Sequence, residues 1–319
     1  MTAIETFRLA KSYKVGFWRK REQEALSPLT LAVQEGEVFG YLGPNGAGKT
    51  TTLKLLMGLI YPTSGTATIL GRPLDDPKMK AQIGFLPEQP YFYDHLTVRE
   101  LLAYLASLSG IPAGDRERRI ETVLHRVGIH DHADLQLRKF SKGMLQRVGI
   151  AQAIVHDPKL IFLDEPMSGL DPIGRREVRD LIQALKDEGK TIFFSTHILS
   201  DAETLCDRVA VLNHGQLRGI GVVADLVREV SGRIEVVWEG TAATDAIVQL
   251  GAETHSSGAI FRAVLPEPLL ERAVDVIRRS GSRLISLSPV RATLEDFFLE
   301  KLEREVETGS RVASGEGAS

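Results

Sequence analysis

The sequence predicts an α/β core built on a parallel sheet, interrupted by a helical insertion and followed by a small α+β domain. Two patterns carry that expectation. Over roughly the first 225 residues, short β-rich apolar runs alternate with amphipathic helical stretches, which is how parallel sheets are built. From about residue 226 a second, smaller pattern of strands with intervening helices begins.

Taken in order, "GEVFGYLG" (36–43) reads as a buried strand. A helix follows, with Leu53, Leu56, Met57 and Ile60 at i, i+3, i+4 and i+7. Residues 97 to about 150 read as almost wholly helical. Val98, Leu101, Leu102 and Leu105 share one face, and Ile120, Val123, Leu124 and Val127 share another. "LIFL" (160–163) and "TIFFST" (191–196) read as two more buried strands. The helix between them has Val178, Leu181, Ile182 and Leu185 on one side. It opens on Asp171 as N-cap and Pro172 at the first position, and Gly189 stands just past its end. "RVAVLNHGQLRGIG" predicts a hairpin turning at Asn213 to Gly215. Beyond it, "RIEVVWEG", "AIFRAVL" and "RLISLSPV" read as strands and "LLERAVDVIRRSG" as a helix. The expected division is a first domain over 1–225, a helical insertion over 97–150, an α+β domain over 226–307 and a Gly/Ser-rich, disordered tail over 308–319.

Bulk composition narrows the function. With 39 basic and 42 acidic residues the net charge is −3, so neither a nucleic-acid-binding surface nor an acidic tail is favoured. Cys206 is the single cysteine, which excludes an intrachain disulfide. No apolar run approaches the ~18 residues of a membrane span, and "MTAIETFRLAKSYK" carries no apolar signal-peptide core. If a membrane matters to this chain, it is reached through a partner.

The strongest chemical signal is "GPNGAGKTT", made of Gly43, Pro44, Asn45, Gly46, Ala47, Gly48, Lys49, Thr50 and Thr51. It fits G-x-x-x-x-G-K-[ST] between an expected strand and an expected helix, the phosphate loop of a P-loop NTPase. Glycines let the backbone wrap a phosphate, and the helix N-terminus adds partial positive charge. Lys49 reaches the β- and γ-phosphates, and the Thr50 hydroxyl is placed to ligate Mg²⁺. A second signal is "LIFLDEPMSGLD" (160–171), where an apolar run ends in two adjacent carboxylates. Successive strand side chains diverge, so Asp164 is read as the metal holder and Glu165 as the base that polarises attacking water.

"GPNGAGKTT", "FSKGMLQR" (140–147), "LIFLDEPMSGLD" and "FFSTHILSDAE" (193–203) occur in that order. Together they resemble the ATPase subunit of an ATP-binding cassette (ABC) transporter over roughly residues 4 to 225. The resemblance implies a RecA-like sheet core with a helical signature subdomain, ATP and Mg²⁺ as ligands, a homodimer or closely related second ATPase subunit, and a separate membrane permease. It also implies a peripheral place on the cytoplasmic face of the membrane. "LSPLTLAVQEGEVFGYLGPNGAGKTT", "TLEDFFLEKL" (293–302) and a lysine in the signature resemble the stand-alone subunits of export-type systems. Those act on drugs, antibiotics, lipids, polysaccharides or sodium, or serve copper-site maturation.

By the same resemblance, Ser141 and Gly143 of the signature face the γ-phosphate held by another copy, and His197 is the switch histidine. Asp171 lies in the loop linking the two nucleotide sites, and Tyr13 of "KSYK" stacks on adenine. Three positions depart from the family pattern. Lys142 stands where glycine is usual and Met144 where glutamine is usual. Glu88 stands where a metal-contacting glutamine is usual, with Gln89 beside it, so either is a candidate for Mg²⁺. His130 and His132 have no further ligand cluster and read as surface residues. "GFWRKREQEAL" reads as a solvated hairpin tip. Rival readings are a soluble mechano-ATPase of the same superfamily, opposed by a single cassette and no heptad run, and an ATP-dependent regulator without turnover, opposed by Glu165.

Overall fold

The computed structural model describes residues 1–16, 21–229, 232–252, 254–290 and 292–299, which fall into two compact units, Met1–Val222 and Val223–Ser319. Residues 17–20 of the "GFWRKREQEAL" loop, the last residues of "TLEDFFLEKL" and the tail from Thr308 lie outside the described residues.

The first unit opens with β1 (Thr2–Val15) and β2 (Arg21–Gln34), then β3 (Val38–Leu42), α1 (Lys49–Leu56), β4 (Ser64–Ile69), β5 (Arg72–Pro73), α2 (Pro77–Lys80) and β6 (Ile83–Leu86). Three helices follow with no strand between them: α3 (Val98–Leu108), α4 (Ala113–Arg126) and α5 (Lys142–Ile154). The chain then returns to alternation with β7 (Leu160–Asp164), α6 (Pro172–Asp187), β8 (Thr191–Thr196), α7 (Leu199–Leu205), β9 (Arg208–Asn213) and β10 (Gln216–Val222).

Six of these strands form one sheet in the order β10-β9-β3-β8-β7-β6. All neighbours pair in parallel except β10, which runs antiparallel to β9 at one edge. Every residue of β3, β7 and β8 is buried. Their central residues are apolar, as in strands covered on both faces, and the polar Asp164, Thr191, Ser195 and Thr196 stand at the strand ends. The β9–β10 hairpin turns on His214 (φ 46°) and Gly215 (φ 76°), the two left-handed residues of a tight primed turn.

A second sheet, β2-β1-β4-β5, is wholly antiparallel. The sequence reading anticipated a parallel core and did not place this sheet. The reason lies in β1. Its pairing with β2 shifts register between Thr6 and Leu9, and Arg8 sits at φ 47°. Bulges break the two-residue alternation on which strand recognition depends.

Helix ends follow their caps. Asp171 accepts from the Gly174 amide at 2.7 Å ahead of Pro172, and Gly189 (φ 83°) ends α6 as expected of a C-terminal glycine. The α1 helix stops at Leu56, short of the apolar pattern that extends to Ile60. Gly58 (φ 62°) turns left-handed, its amide bonding to Leu55 O while the Leu59 amide bonds to Lys54 O. That double closure terminates a helix before its pattern is exhausted, and Ile60 still packs on the core from beyond it.

The second unit contains α8 (Val223–Glu229), β11 (Arg233–Glu239), α9 (Thr244–Gln249), β12 (Thr254–Ser257), β13 (Ile260–Pro266), α10 (Leu270–Arg279) and β14 (Arg283–Pro289). Its antiparallel sheet runs β12-β13-β11-β14. Alternate residues Val236, Trp238, Ala263 and Leu265 form a core with Ile247, Ala273 and Ile277 of the helices.

Candidate nucleotide site

The phosphate loop spans the gap between β3 and α1. Its shape is set by what packs on it. Gly48, at φ 103°, has the Ala25 carbonyl of β2 so close that a Cβ would lie 2.5 Å away. No other residue fits that position. The Gly215 amide bonds to Ala47 O at 2.9 Å, and the Gly43 amide to Thr196 O at 3.3 Å. The loop is therefore held from the hairpin behind it and from the end of β8.

A cavity of about 350 Å³ opens over the loop, lined by Pro44, Asn45, Gly46, Gly48, Lys49, Thr50 and Thr51 together with Glu88 and Glu165. Gln23, Glu24 and Ala25 of β2 complete the wall. Sequence reasoning missed these three because nothing in β2 marks them as facing the loop. Gly43 and Ala47 shape the loop from behind rather than lining the cavity. Lys49 is 6% exposed, and its ammonium donates to Gly43 O at 2.7 Å and Pro44 O at 3.3 Å.

The two adjacent acids separate as strand geometry requires. Asp164, the last residue of β7, accepts from Thr50 Oγ1 at 3.0 Å and from the Ser195 hydroxyl on β8. Glu165 lies one residue past the strand in the left-handed region, at φ 50°. A non-glycine residue there carries strain of ~1–2 kcal/mol, held by its amide bonding to Ser195 O at 3.1 Å. The twist brings Glu165 Oε2 to 2.9 Å from His197 Nδ1 and Oε1 to 3.2 Å from Lys49 Nζ. That last contact is close but misaligned, so the buried Oε1 accepts no hydrogen bond. Ser195 and Gln146, whose amide donates to Pro166 O at 2.8 Å, were not anticipated as parts of the site. For Ser195 the signal was a hydroxyl directly after the buried apolar run 192–194; around Gln146, with Lys142 and Arg147 in the same helix, the sequence carries no such signal.

Of the remaining candidates, Glu88 alone lines that cavity. Glu88 lines the phosphate-loop cavity and also a second one of about 320 Å³, which Gln89, Lys142, Leu145, Gln146 and Ser168 share. Gln89 lines the second and not the first. Ser141 caps α5 by accepting from the Met144 amide at 3.3 Å, and it and Gly143 stand outside the phosphate-loop cavity of their own chain. The Lys142 side chain lies across Gly169 (φ 67°), two residues before Asp171. Asp171 is occupied as the α6 cap. Tyr13 is 38% exposed on β1, paired across the ladder with Gln23 of the cavity wall, with Lys11 Nζ 5.1 Å above its ring. Among the described residues, no group of three or more His, Cys, Asp or Glu side chains is arranged to hold a metal without help from a ligand.

A family model described as "ABC transporter" matches residues 26–168. An uncharacterized ABC transporter ATP-binding protein of Synechocystis sp. is 45% identical over 308 residues, covering 96% of this chain and 86% of the relative. The bacitracin transport ATP-binding protein of Bacillus licheniformis is 43% identical over 219 residues, 68% of each chain. Among solved structures, a dimeric ATP-binding cassette in a post-hydrolysis state with ADP and Pi aligns with a TM-score of 0.62. It is 26% identical, over 69% of this chain and 98% of that one.

Proposed function

This chain belongs to the ATP-binding proteins of ABC transporters, and on that premise we propose that it hydrolyses Mg-ATP in pockets completed by a second copy of itself. The ATPase acts as the ATP-binding subunit of a transporter whose permease is a separate chain. The observation that carries the site assignment is Glu165. Its carboxylate is buried, its Oε2 is held by His197, and its Oε1 has no hydrogen bond at the wall of the phosphate-loop cavity.

Each residue has a distinct task. Loop amides and Lys49 bind the β- and γ-phosphates. Thr50 Oγ1 and Asp164 Oδ2, 3.0 Å apart, with Glu88 at the cavity wall, are hard oxygen donors of the kind that hold Mg²⁺ jointly with substrate phosphates. Mg²⁺, when bound, neutralises charge on the β- and γ-oxygens. Once Lys49 turns from Glu165 Oε1 to the phosphates, the Glu165 carboxylate takes a proton from water as the water oxygen bonds to the γ-phosphorus. The bond to the β–γ bridging oxygen breaks, leaving ADP and inorganic phosphate. His197 fixes which carboxylate oxygen is the base.

One chain is not the whole pocket. The N-terminal end of the α5 helix, with Ser141 and Gly143, is an anion-binding end that its own cavity does not use. Head-to-tail pairing supplies it to the neighbour's γ-phosphate, with Asp171 at the seam between sites and Tyr13 against adenine. The 26% identical cassette that is dimeric with ADP and Pi supports pairing as such.

Among the described residues no helix is long and apolar enough to cross a membrane. We infer that contact with the permease falls to the exposed Tyr91 and Tyr93 ahead of α3 and to Tyr104 and Leu108 on it, and that the subunit reaches the cytoplasmic face of the membrane through that partner. The bacitracin relative favours an export-type system.

The test is Glu165→Gln. Turnover is expected to fall by about a hundredfold or more, and Mg-ATP is expected to drive the protein into a stable dimer by size-exclusion chromatography with light scattering. A variant that turns over normally and stays monomeric removes Glu165 as the base.

A further inference from the structure

Asp201 has no task in the account above, yet its burial is that of a functional group. It lies in the first turn of α7 and is 3% exposed. Two guanidinium groups of α6 flank its carboxylate, Arg175 Nη2 at 3.7 Å from Oδ2 and Arg179 Nη2 at 3.9 Å from Oδ1. Neither approach closes into a hydrogen bond. Asp201 Oδ2 and the Nε atoms of both arginines are buried without hydrogen-bond partners. A buried ion set with poor hydrogen bonding is weak as a source of stability, since apolar side chains of equal volume serve as well or better.

Its position gives it another use. Arg175 lies four residues after Asp171, and its amide bonds to Asp171 O at 2.9 Å. Asp201 lies four residues after His197. The carboxylate therefore joins the first turn of the helix behind Asp171 to the first turn of the helix behind His197. On α6, residues 175 and 179 share a face, while 177 points about 180° away from their mean direction. That opposite face carries Glu177, which pairs with Arg147 of the signature helix α5. One helix is thus held on one side by the signature element and on the other by the switch element.

We propose that Asp201 is a positioning residue for ATP hydrolysis, tying α7 to Arg175 and Arg179 so that His197 holds Glu165 in register with the Asp171 loop. The inference rests on the reading of Glu165 as base. It makes the grip of His197 depend on where the inter-site loop stands.

The experiment uses the full chain with Asp201→Asn, which keeps volume and removes charge. The expected result is a fall in kcat of about tenfold with KM for ATP within about twofold, because the phosphate contacts are untouched. The melting temperature is expected to fall by no more than a few degrees, because Arg175 and Arg179 lose their counter-charge but are each about one-third exposed and keep water as a partner. A lower melting temperature with kcat unchanged makes Asp201 merely structural and overturns the proposal. Arg179→Gln, at a one-third exposed side chain, decides the matter should Asp201→Asn fail to fold. By itself it is expected to lose about threefold in kcat with KM for ATP unchanged, and an unaffected kcat overturns the proposal; where Asp201→Asn folds, Arg179→Gln is expected to add nothing to it in the double variant, and additive losses overturn the proposal as well. Glu165→Gln is assayed alongside. If it remains active, the base assignment has failed; if it is inactive while Asp201→Asn and Arg179→Gln are normal, the positioning role alone has failed.

Discussion

Lys142 places a cation in the first turn of α5, the end of a helix that already carries partial positive charge and so disfavours cations by ~0.3–1 kcal/mol. What the side chain does in return is cover Gly169. A methyl group added at that glycine would lie 1.9 Å from the lysine ammonium, and φ 67° is itself unfavourable for any residue with a Cβ. Gly169→Ala is therefore expected to strain the loop before Asp171 by about 1 kcal/mol. It is also expected to displace Lys142 and cut turnover by roughly tenfold, since small misplacements of a site are costly. Lys142→Gly in the same chain removes the clash and leaves only the backbone strain, so most of the turnover is expected to return. A double variant no faster than Gly169→Ala alone would show that the lysine does not govern this loop. The adjoining Glu88 is legible as a departure from the family pattern, but its place on the walls of two cavities is not, because that depends on how α5 approaches β6.

At the scale of elements, that approach is closest at Gly84 in β6. A Cβ there would meet Ala153 O of α5 at 2.1 Å and Pro158 Cγ at 3.0 Å. Backbone cannot yield as a side-chain tip can, so Gly84→Ala is expected to destabilise the first unit by about 2–3 kcal/mol. That corresponds to a melting transition lowered by roughly 5–10 °C, read by calorimetry or by a shifted urea midpoint. A melting temperature within a degree of the parent would mean that the helix is free to move off the strand. The same element shows what sequence can and cannot convey. Buried strands such as "LIFLD" and "TIFFST" announce themselves because both faces are covered and their runs 160–163 and 192–194 are apolar without a break. The caps of α6 were equally plain, as Asp-Pro before and glycine after. The β1 strand was obscure because its bulges and the left-handed Arg8 destroy the alternation. Within the site, the phosphate loop and acid pair are local in sequence and could be read directly. The Ser195–Asp164 and His197–Glu165 contacts join residues some thirty positions apart, brought together only when β7 and β8 pair.

At the scale of the whole molecule, the core of each unit is built from its own residues. The first gathers Leu9, Val33, Phe39, Leu53, Phe162 and Phe193, and the second gathers Val236, Trp238, Leu265 and Ile277. Domains with separate cores fold separately. A chain ending at Val222 is therefore expected to fold, to retain a cooperative melt, and to bind ATP within about twofold of the full chain. We expect the second unit to act on assembly. It contains none of the phosphate-binding residues, yet the Synechocystis relative matches this chain over 96% of its length, so the unit is matched along with the catalytic one. Placed in the Glu165→Gln background, the truncation isolates that contribution, because hydrolysis no longer competes with dimer formation. The shortened variant is expected to need about tenfold more protein to form the ATP-bound dimer, roughly 1.4 kcal/mol of lost association energy. Dimerisation at the same concentration as the full-length variant, measured by analytical ultracentrifugation, would exclude the second unit from assembly and leave regulation as its remaining task.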